Sequence, residues 1–398
     1  MTNRIPANPA VLRWARECLG LSLEEVAERV KKRPADVEAW EAGRAAPTYV
    51  QLETLAYKIY KRPVALFFFP EPPDEPPVRQ SFRTLPEEEL DAIPPSVRYL
   101  LRKAAVLQAN LYEIFGGANP AARHVLRDLV FAPSVSAVRM AKEVRAYLGV
   151  DLSEQQTWHD AGTALHRWRD ALEAHGVFVF KDSFNPPGPR SKRRDGSDRY
   201  SGFCLYDAEF PLIYVNNNLP KTRQIFTLFH ELAHLFMKTG GIDTEIDRFV
   251  ADLEGDARRV ETLCNAFAAE FLVPGADFAH QIRDVPIDEK GIDGLARLYS
   301  VSREVILRRL RDRDRVAQEE YERLAAQWKD QTRTRKGAGG GDYYETTGAY
   351  LGQRYIGQVI SRYSRRGITA DQAADYLGVK VEHLPGVEEW LLKRGSAA

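Results

Sequence analysis

The residues best suited to chemistry lie in the apolar stretch Thr227–Phe236, which contains the pattern His-Glu-x-x-His. At 3.6 residues per helical turn, His230 and His234 lie one turn apart on one face, so their imidazoles can bind a single metal ion. Glu231 projects beside them, where its carboxylate can take a proton from the attacking water of a zinc hydrolase. The same five-residue pattern also arises by chance on buried helices.

A second predicted helix, Glu261–Leu272, offers a third metal ligand. A catalytic zinc ion takes three protein ligands and keeps one open position, and two histidines with one glutamate are a recurring set. Asn265 follows Glu261 by one turn on the same face, where it can orient a ligand by hydrogen bonding. Glu270 is the alternative ligand, but it lies more than two turns further on. The sequence therefore predicts a Zn²⁺ site in which Glu261 joins the two histidines.

The segments that precede the metal-binding pattern are predicted to change from helix to strand. Residues 151–175 are predicted to form one amphipathic helix. Three short β-branched or aromatic runs are then predicted as strands: Val177–Phe180, Phe203–Tyr206 and Leu212–Val215. A small sheet beside the metal helix can offer an edge to an extended peptide. A basic loop at 186–196 is expected at the surface. The candidates for stabilising the oxyanion of the reaction are Tyr214, His280 and Arg258.

Several sequence blocks occur together in an order that resembles a known family, the ImmA/IrrE-type metallopeptidases. The resemblance runs from about Leu172 to Leu310 and rests on His-Gly-Val-Phe-Val-Phe (175–180), Ser-Gly-Phe (201–203), Leu-Ile-Tyr-Val-Asn (212–216), Thr-Leu-Phe-His-Glu-Leu-Ala-His-Leu (227–235), the helix 261–269 and Leu-Val-Pro (272–274). It implies a zinc-dependent endopeptidase of narrow specificity that cleaves a repressor partner in trans. By motif position the ligands would be His230, His234 and Glu261, and the general base would be Glu231.

The first 60 residues have the pattern of short amphipathic helices. Ser22 and Glu25 are predicted to form a capping box at the start of one helix. Pro34 can start the next helix and Gly43 can end it. The spacing Trp-Glu-x-Gly-x-x-x-Pro-Thr at 40–48 resembles the lambda-repressor-like (XRE-type) helix-turn-helix family, in which the helix that begins at Pro34 would read the major groove.

The charges on this predicted reading helix weaken the case for DNA. Asp36 and Glu38 repel phosphate, and the helix is poor in the Arg, Asn and Gln side chains that read purine edges. Candidate contact residues are Arg33, Asp36, Glu38 and Arg44. They could contact double-stranded DNA or dock a protein partner, and the sequence leaves both uses open.

Composition excludes several protein classes. Lys plus Arg and Asp plus Glu balance at 56 each, so bulk charge requires neither nucleic acid nor an anionic membrane. The scattered cysteines Cys18, Cys204 and Cys264 favour a reducing compartment over a disulfide framework. The N-terminus lacks the apolar region of a signal peptide, and no apolar run approaches the ~18 residues of a membrane span. A cytoplasmic protein without a membrane partner is expected.

At 398 residues the chain is long enough for two or three domains. We predict a multidomain, mainly α protein with an α+β zincin-like peptidase core and a five-helix XRE-type helix-turn-helix domain at the N-terminus. The predicted divisions are 1–69 for that domain, 70–150 for a Pro-rich linker and helical bridge, 151–285 for the metallopeptidase, 286–335 for a second helix-turn-helix-like segment, and 342–398 for a small C-terminal helical unit.

Three finer expectations accompany these divisions. The apolar run Val64–Phe69 is expected to pack under the first domain. The second helix-turn-helix-like segment should have Ser302 as a helix N-cap, and its many arginines could bind phosphate. A glycine-rich hinge at 336–341 should precede the C-terminal unit, in which Thr369 starts a helix and Gly378 ends it.

Two functions from different classes fit these patterns. The first is an intracellular zinc endopeptidase that cleaves a regulatory protein, a repressor or toxin encoded nearby, in a stress, mobile-element or toxin–antitoxin response. The second is a DNA-binding antitoxin or transcriptional regulator whose peptidase fold serves mainly to bind a partner. The intact set of two histidines and two glutamates favours the first. A dimer is possible, and the sequence does not fix the oligomeric state.

Overall fold

The structure, a computed structural model, describes residues 4–75, 92–158, 160–185, 196–238, 242–243, 255–283, 285–334 and 342–395. They fall into two compact units, each described by itself below. One holds the described parts of Met1–Ala105 and Phe184–Arg199, and the other those of Val106–Ser183 and Tyr200–Ala398. Parts of three predicted features lie outside the described residues, namely the end of the Pro-rich linker, the basic loop and the glycine-rich hinge.

The first unit is built from short helices around one apolar core. Its helices are α1 Pro9–Cys18, α2 Leu23–Val30, α3 Pro34–Glu41 and α4 Tyr49–Glu53, followed by π-helical turns over Thr54–Tyr60 and a 3₁₀ helix over Val64–Phe68. The predicted capping box of α2 is confirmed, because Ser22 Oγ accepts from the Glu25 N–H (3.2 Å) and the Glu25 carboxylate accepts from the Ser22 N–H (2.9 Å). The assignment of these helices to the XRE-type fold stays a prediction.

The expected burial of the apolar run Val64–Phe69 is only partly right. Phe67 is fully buried in the core of the first unit, whereas Phe68 and Phe69 are each about half exposed, at 49% and 50%. Val64–Phe68 form a 3₁₀ helix, which has three residues per turn, so consecutive side chains point in different directions. Only one of the three phenylalanines therefore reaches the core.

The second unit is mainly helical. Helix α5, Pro95–Phe115, belongs to the first unit up to Ala105 and to the second from Val106. The other helices are α6 Val125–Asp128, α7 Ala137–Leu148, α8 Leu152–Gln156, α9 Ala161–Ala174, α10 Lys221–Phe236, α11 Gly255–Leu272, α12 Gly275–Gln281, α13 Glu289–Tyr299, α14 Arg303–Arg311, α15 Gln318–Thr334, α16 Tyr343–Leu351, α17 Gln353–Ser364, α18 Ala370–Leu377 and α19 Leu384–Gly395. Among the helices described, none combines the length and apolarity that crossing a membrane requires.

A four-stranded mixed sheet lies within this unit. Its strands are β1 Phe178–Asp182, β2 Gly202–Leu205, β3 Leu212–Asn216 and β4 Ile242–Asp243, in the spatial order β1-β3-β2-β4. Strand β1 runs parallel to β3, and β2 runs antiparallel to both β3 and β4. The prediction of a mainly helical, multidomain chain with a small sheet is confirmed.

One face of the sheet packs against α10. Side chains alternate between the two faces of a strand, so Cys204 and Ile213 join the core that includes α10. Their strand neighbours Phe203 and Tyr214 point to the opposite face, where their rings stack at 5.0 Å. Every residue of α10 from Gln224 onward is buried, which is typical of a helix that is packed on all sides.

The region before the sheet differs from the single helix predicted over 151–175. There are two helices here, because α8 ends at Gln156 and α9 begins at Ala161. The Asp160 side chain accepts hydrogen bonds from the backbone N–H groups of Gly162 (2.7 Å) and Thr163 (3.0 Å), so it caps the N-terminus of α9. This cap starts a new helix, although the apolar spacing over residues 151–175 predicts one continuous helix.

The last four helices pack on the sheet and on α9 within the second unit. Helix α16 contacts β1, and the Tyr355 ring of α17 meets Phe180 of β1 edge to face at 5.3 Å. The Arg169 guanidinium of α9 donates to the Ala349 carbonyl at 2.9 Å, and Arg354 donates to the Glu173 carbonyl at 2.9 Å. Within this segment, Thr369 caps α18 and Gly378 ends it in a left-handed conformation, as predicted.

Gly202 allows α10 to lie close to the sheet. A Cβ atom at this position would come within 2.5 Å of Thr227 Cγ2 and 2.8 Å of the Tyr214 carbonyl oxygen. We expect Gly202→Ala to reduce the free energy of unfolding of this unit by about 1–3 kcal/mol, because the backbone must shift to admit the methyl group. Gly294→Ala, where a Cβ meets no atom within 4 Å, is the matched control. Equal denaturant midpoints for both variants would contradict the expectation.

Candidate metal centre

Two neighbouring helices, α10 and α11, bring the predicted ligands to one place. An aromatic cluster fixes their packing: the rings of Phe229 and Phe271 stack at 4.0 Å, and Trp168 of α9 meets them edge to face at 4.9 and 5.2 Å. His230 and His234 follow each other by one turn on α10, and Glu261 enters from α11. The motif is thus held by a helix pair with an aromatic core.

The three predicted ligand side chains bring two imidazole nitrogens and one carboxylate into a compact triangle. His230 Nε2 lies 3.1 Å from His234 Nε2, Glu261 Oε1 lies 3.0 Å from His234 Nε2, and Glu261 Oε2 lies 3.5 Å from His230 Nε2. A tetrahedral zinc ion with ligand bonds of about 2.0 Å separates its ligand atoms by roughly 3.3 Å. The residues therefore fit such an ion. Within the part of the chain that the structure describes, they are the group of three possible ligands that lies close enough for one metal.

The site combines burial with opposite charges. His230 and His234 are each 1% exposed and Glu261 is 8% exposed. Burial acts to raise the pKa of Glu261, but the charge and hydrogen bond of His234 and the charge of His230 outweigh it and lower this pKa to about 2. Burial acts to lower the pKa of His234, yet its contacts with Cys264 and Glu261 raise it above the usual value. Glu261 is thus available as a carboxylate, and a divalent ion would compete with a proton for His234.

Asn265 contacts His230 from the side opposite the triangle. Its Oδ1 lies 3.1 Å from His230 Nδ1, so it can accept the Nδ1–H and leave the Nε2 lone pair for a metal. This is the orienting contact expected from the one-turn spacing between Glu261 and Asn265.

We expect Asn265→Ala to weaken zinc affinity by about 10- to 100-fold, because the His230 ring would lose the partner that fixes its tautomer and orientation. The measurement is the zinc dissociation constant by competition with a chromophoric chelator. Asn218→Ala, an exposed asparagine before α10, serves as the control. Unchanged zinc affinity in Asn265→Ala would show that this hydrogen bond does not support the site.

Glu231 directly follows His230 on α10 and is fully buried. Its charge acts on Cys264, whose thiol pKa is raised mainly by burial. Cys264 also hydrogen-bonds His234, a contact that the sequence reasoning did not anticipate. The available signal was its spacing, because Cys264 follows Glu261 by three residues and therefore lies near it on the same face of α11.

The alternative ligand Glu270 is engaged elsewhere. Its Oε2 lies 2.5 Å from Arg309 Nη2, and its Oε1 accepts the Gly275 N–H at 2.8 Å, which caps the N-terminus of α12. These contacts tie α14 and α12 to α11. Glu270 therefore has a structural role, and the geometry favours Glu261.

The arginines of the second helix-turn-helix-like segment also bind within the protein. Ser302 caps α14 as predicted. Arg309 pairs with Glu270, Arg308 donates to the Tyr321 hydroxyl at 3.1 Å, and Arg313 donates to the Gly275 carbonyl at 2.9 Å. Helix α14 thus packs against its neighbours through the residues that had suggested phosphate binding.

In the first unit, the four candidate contact residues pair with one another. Arg33 Nη2 lies 3.1 Å from Asp36 Oδ1, and Arg44 Nη2 lies 2.9 Å from Glu38 Oε1. The pairs are largely exposed on and beside α3. Each arginine charge is balanced by an acid, so these residues present little net positive charge to a phosphate backbone.

The three oxyanion candidates lie on three different elements, β3, α12 and α11. Tyr214 lies on the sheet face opposite α10, and its hydroxyl donates to Asp182 Oδ2 at 3.2 Å. The suggestion of Tyr214 is therefore wrong, because strand alternation directs its ring away from the site. His280 and Arg258 are exposed on α12 and α11.

Comparison with known proteins places these residues within a recognised domain type. Residues 172–311 match the peptidase family M78, described as the IrrE N-terminal-like domain. A relative, the radiation response metalloprotease IrrE of Deinococcus deserti, is 34% identical over 102 residues, which are 25% of this chain and 31% of the relative. The chain thus spans about a third of that relative's length.

Among solved structures, a transcriptional regulator of Mycobacterium tuberculosis is 19% identical with a TM-score of 0.28, covering 44% of this chain and 46% of its own. The match over residues 172–311, which contain both helices of the ligand triangle, is to the IrrE N-terminal-like domain of the peptidase family M78.

Proposed function

We propose that this chain is a zinc-dependent endopeptidase that cleaves a regulatory, repressor-like protein partner. The observation that carries the proposal is the triangle of His230 Nε2, His234 Nε2 and a Glu261 carboxylate oxygen, together with the buried Glu231 that follows His230 on α10. Two imidazoles and one carboxylate are a donor set that suits catalytic zinc and leaves one position for water or substrate.

The proposed mechanism gives each side chain one task. When bound, zinc supplies Lewis acidity, which lowers the pKa of a water molecule and polarises the scissile carbonyl. Glu231 accepts the proton of the attacking water on a carboxylate oxygen and then donates that proton to the leaving amide nitrogen. Asn265 keeps the His230 ring in the orientation that directs Nε2 towards the metal. The hydrolysis consumes one water molecule per peptide bond, and Glu231 returns to its carboxylate form.

The similarity of residues 172–311 to the IrrE-type domain supports a protein substrate with a regulatory role. The relative's description concerns a radiation response, and we extend only its general class to this chain, a metalloprotease in a stress, mobile-element or toxin–antitoxin response. A repressor or toxin encoded nearby is the proposed substrate.

We further propose that residues 1–69 form a five-helix XRE-type helix-turn-helix domain that docks the protein partner. The pairing of Arg33 with Asp36 and of Arg44 with Glu38 favours docking over DNA binding, because neither arginine offers a free positive charge. The alternative is a DNA-binding antitoxin or transcriptional regulator whose peptidase fold mainly binds its partner. Tight, salt-dependent binding of duplex DNA by the full chain would favour that alternative.

Substrate trapping tests the proposed function. The Glu231→Gln chain should retain an intact partner in a pull-down from the native host, and adding the native chain to that partner should cut it at one site. Glu154→Gln, an exposed glutamate on α8, should cleave as the native chain does. A captured partner that the zinc-loaded native chain leaves uncut would overturn the peptidase proposal and favour partner binding.

A further inference from the structure

A cavity of about 260 Å³ lies within the second unit, between the peptidase part and the C-terminal helices. Its walls come from α9, β1, the first residue of α10, and helices α16, α17 and α19. The metal ligands do not line it. It is slightly smaller than the about 300–1,000 Å³ typical of pockets for drug-sized ligands, so its occupant would be small.

Lys181 of β1 reaches this cavity from a buried position. The residue is only 8% exposed, and its ammonium group makes no side-chain hydrogen bond or ion pair with any residue in the described ranges. Burial and the charges of Arg169 and Lys221 lower the pKa of Lys181 to about 7. A buried ammonium group without a counter-ion is costly, so such groups normally have an anionic partner.

The surroundings of Lys181 are positive on balance. Lys221 lies at the rim, at the N-terminus of α10, and Gly352 and Gln353 line the cavity at the N-terminus of α17. Neither helix has a side-chain cap among the residues described, so both present the positive end of a helix dipole.

Each of the two carboxylates at this cavity has a basic side chain beside it. Asp170 Oδ2 lies 3.4 Å from His166 Nε2, and Glu345 Oε2 lies 2.7 Å from Arg394 Nη2. These four side chains are about half exposed, which places both pairs at the solvent side. Neither carboxylate forms an ion pair with Lys181.

Arg169 builds the cavity wall. Its guanidinium pairs with Glu173 at 2.9 Å and donates to the carbonyls of Ala349 and Val179, which joins α9, α16 and β1. A Cβ at Gly352 would come within 2.3 Å of this guanidinium, so the chain needs glycine to pass so close. The donors of Arg169 are largely used in this way, which leaves Lys181 as the cation available to a ligand.

We propose that this cavity binds a small anion that carries a phosphate group, with Lys181 as its main partner and Lys221 and the N-terminus of α17 as supporting contacts. Phosphate suits the site because an ammonium group and backbone N–H groups at helix N-termini are its common ligands. The bound anion would connect the C-terminal helices to the first turn of α10, the helix that carries His230 and His234. A phosphorylated metabolite could thereby regulate the metal centre without entering it.

Titration calorimetry of the full chain with inorganic phosphate tests the proposal. The native chain should bind with a dissociation constant of about 1 mM or lower, and Lys181→Met should weaken binding by roughly tenfold or more. Lys142→Met, an exposed lysine on α7, is the matched control and should bind as the native chain does. Lys221→Met should bind phosphate several-fold more weakly than the native chain. This variant tests the site if Lys181→Met does not fold. Equal affinity of Lys181→Met and native chain, or no binding by the native chain, would overturn the proposal.

The stability of Lys181→Met provides a second, independent readout. Without phosphate, this variant should melt at a higher temperature than the native chain at pH 7, because it removes a buried positive charge near Arg169 and Lys221. The folded pKa of about 7 lies below the ordinary 10.5, so the unfolded chain binds more protons between these values. Native stability should therefore rise with pH over this window, and the difference between the two melting temperatures should shrink. A variant that is less stable than the native chain at every pH would indicate a structural role for Lys181.

Phosphate binding does not depend on the peptidase proposal. The Glu231→Gln chain should bind phosphate with native affinity, because Glu231 does not line the cavity. Sulfate, whose charge is constant over this pH range, should bind more weakly as pH rises through about 7 and Lys181 loses its proton. Sulfate affinity that does not change with pH would contradict the assignment of Lys181 as the anion's partner.

Discussion

Glu231→Gln is expected to slow cleavage of the protein partner by about 100- to 10,000-fold while zinc content stays the same. Glutamine has nearly the shape of glutamate, but its amide cannot accept the proton of the attacking water or return it to the leaving nitrogen. Glu231 does not belong to the ligand triangle, so the metal should remain bound. The measurement is a cleavage time course with equal concentrations of zinc-loaded native and variant chains.

The Glu154→Gln chain provides the matched control, since it makes the same chemical change at an exposed glutamate. It should cleave at the native rate. If Glu231→Gln cleaved the partner within a few-fold of the native rate, another group would be the general base, and the role given to Glu231 would be wrong.

The second large effect concerns metal retention. His234→Ala should reduce the zinc content of the purified chain from about one ion per chain to near zero, because two remaining ligands hold the ion far less tightly than three. Glu261→Ala should have the same effect, since its carboxylate lies within 3.0 Å of His234 Nε2. Elemental analysis after gel filtration measures the zinc, and circular dichroism checks that the helices are retained.

His280→Ala is the control for this experiment, because His280 is exposed on α12. Its zinc content should equal that of the native chain. Full zinc retention by His234→Ala or by Glu261→Ala would remove that residue from the proposed ligand set.

The features that the sequence predicts correctly depend on short-range rules. The capping box of Ser22 and Glu25 and the N-caps Ser302 and Thr369 follow from hydrogen bonds between residues three apart. The His-Glu-x-x-His spacing puts two imidazoles on one face of a helix, wherever that helix lies. The three strands before α10 were found within one or two residues, because their apolar runs are short and clearly bounded.

The features that the sequence did not predict depend on packing between distant segments. The break before α9 comes from the Asp160 cap, which competed with an apolar period that continues across it. The contact of Cys264 with His234 requires the register of α10 against α11, which aromatic packing sets.

The cavity beside Lys181 likewise forms only because helices of the C-terminal segment cover β1 and α9. Its walls join residues more than 200 positions apart, such as Gly162 and Trp390. Nothing in the local pattern around Lys181 distinguishes it from an ordinary surface lysine at the end of a strand.

Zinc-edge X-ray absorption spectroscopy of the purified native chain tests the ligand triangle most directly. We expect a single shell of nitrogen and oxygen atoms at about 2.0 Å, with imidazole scattering from two histidines and no sulfur. A sulfur shell at about 2.3 Å would instead make Cys264 or Cys204 a ligand, and would contradict a site built from His230, His234 and Glu261.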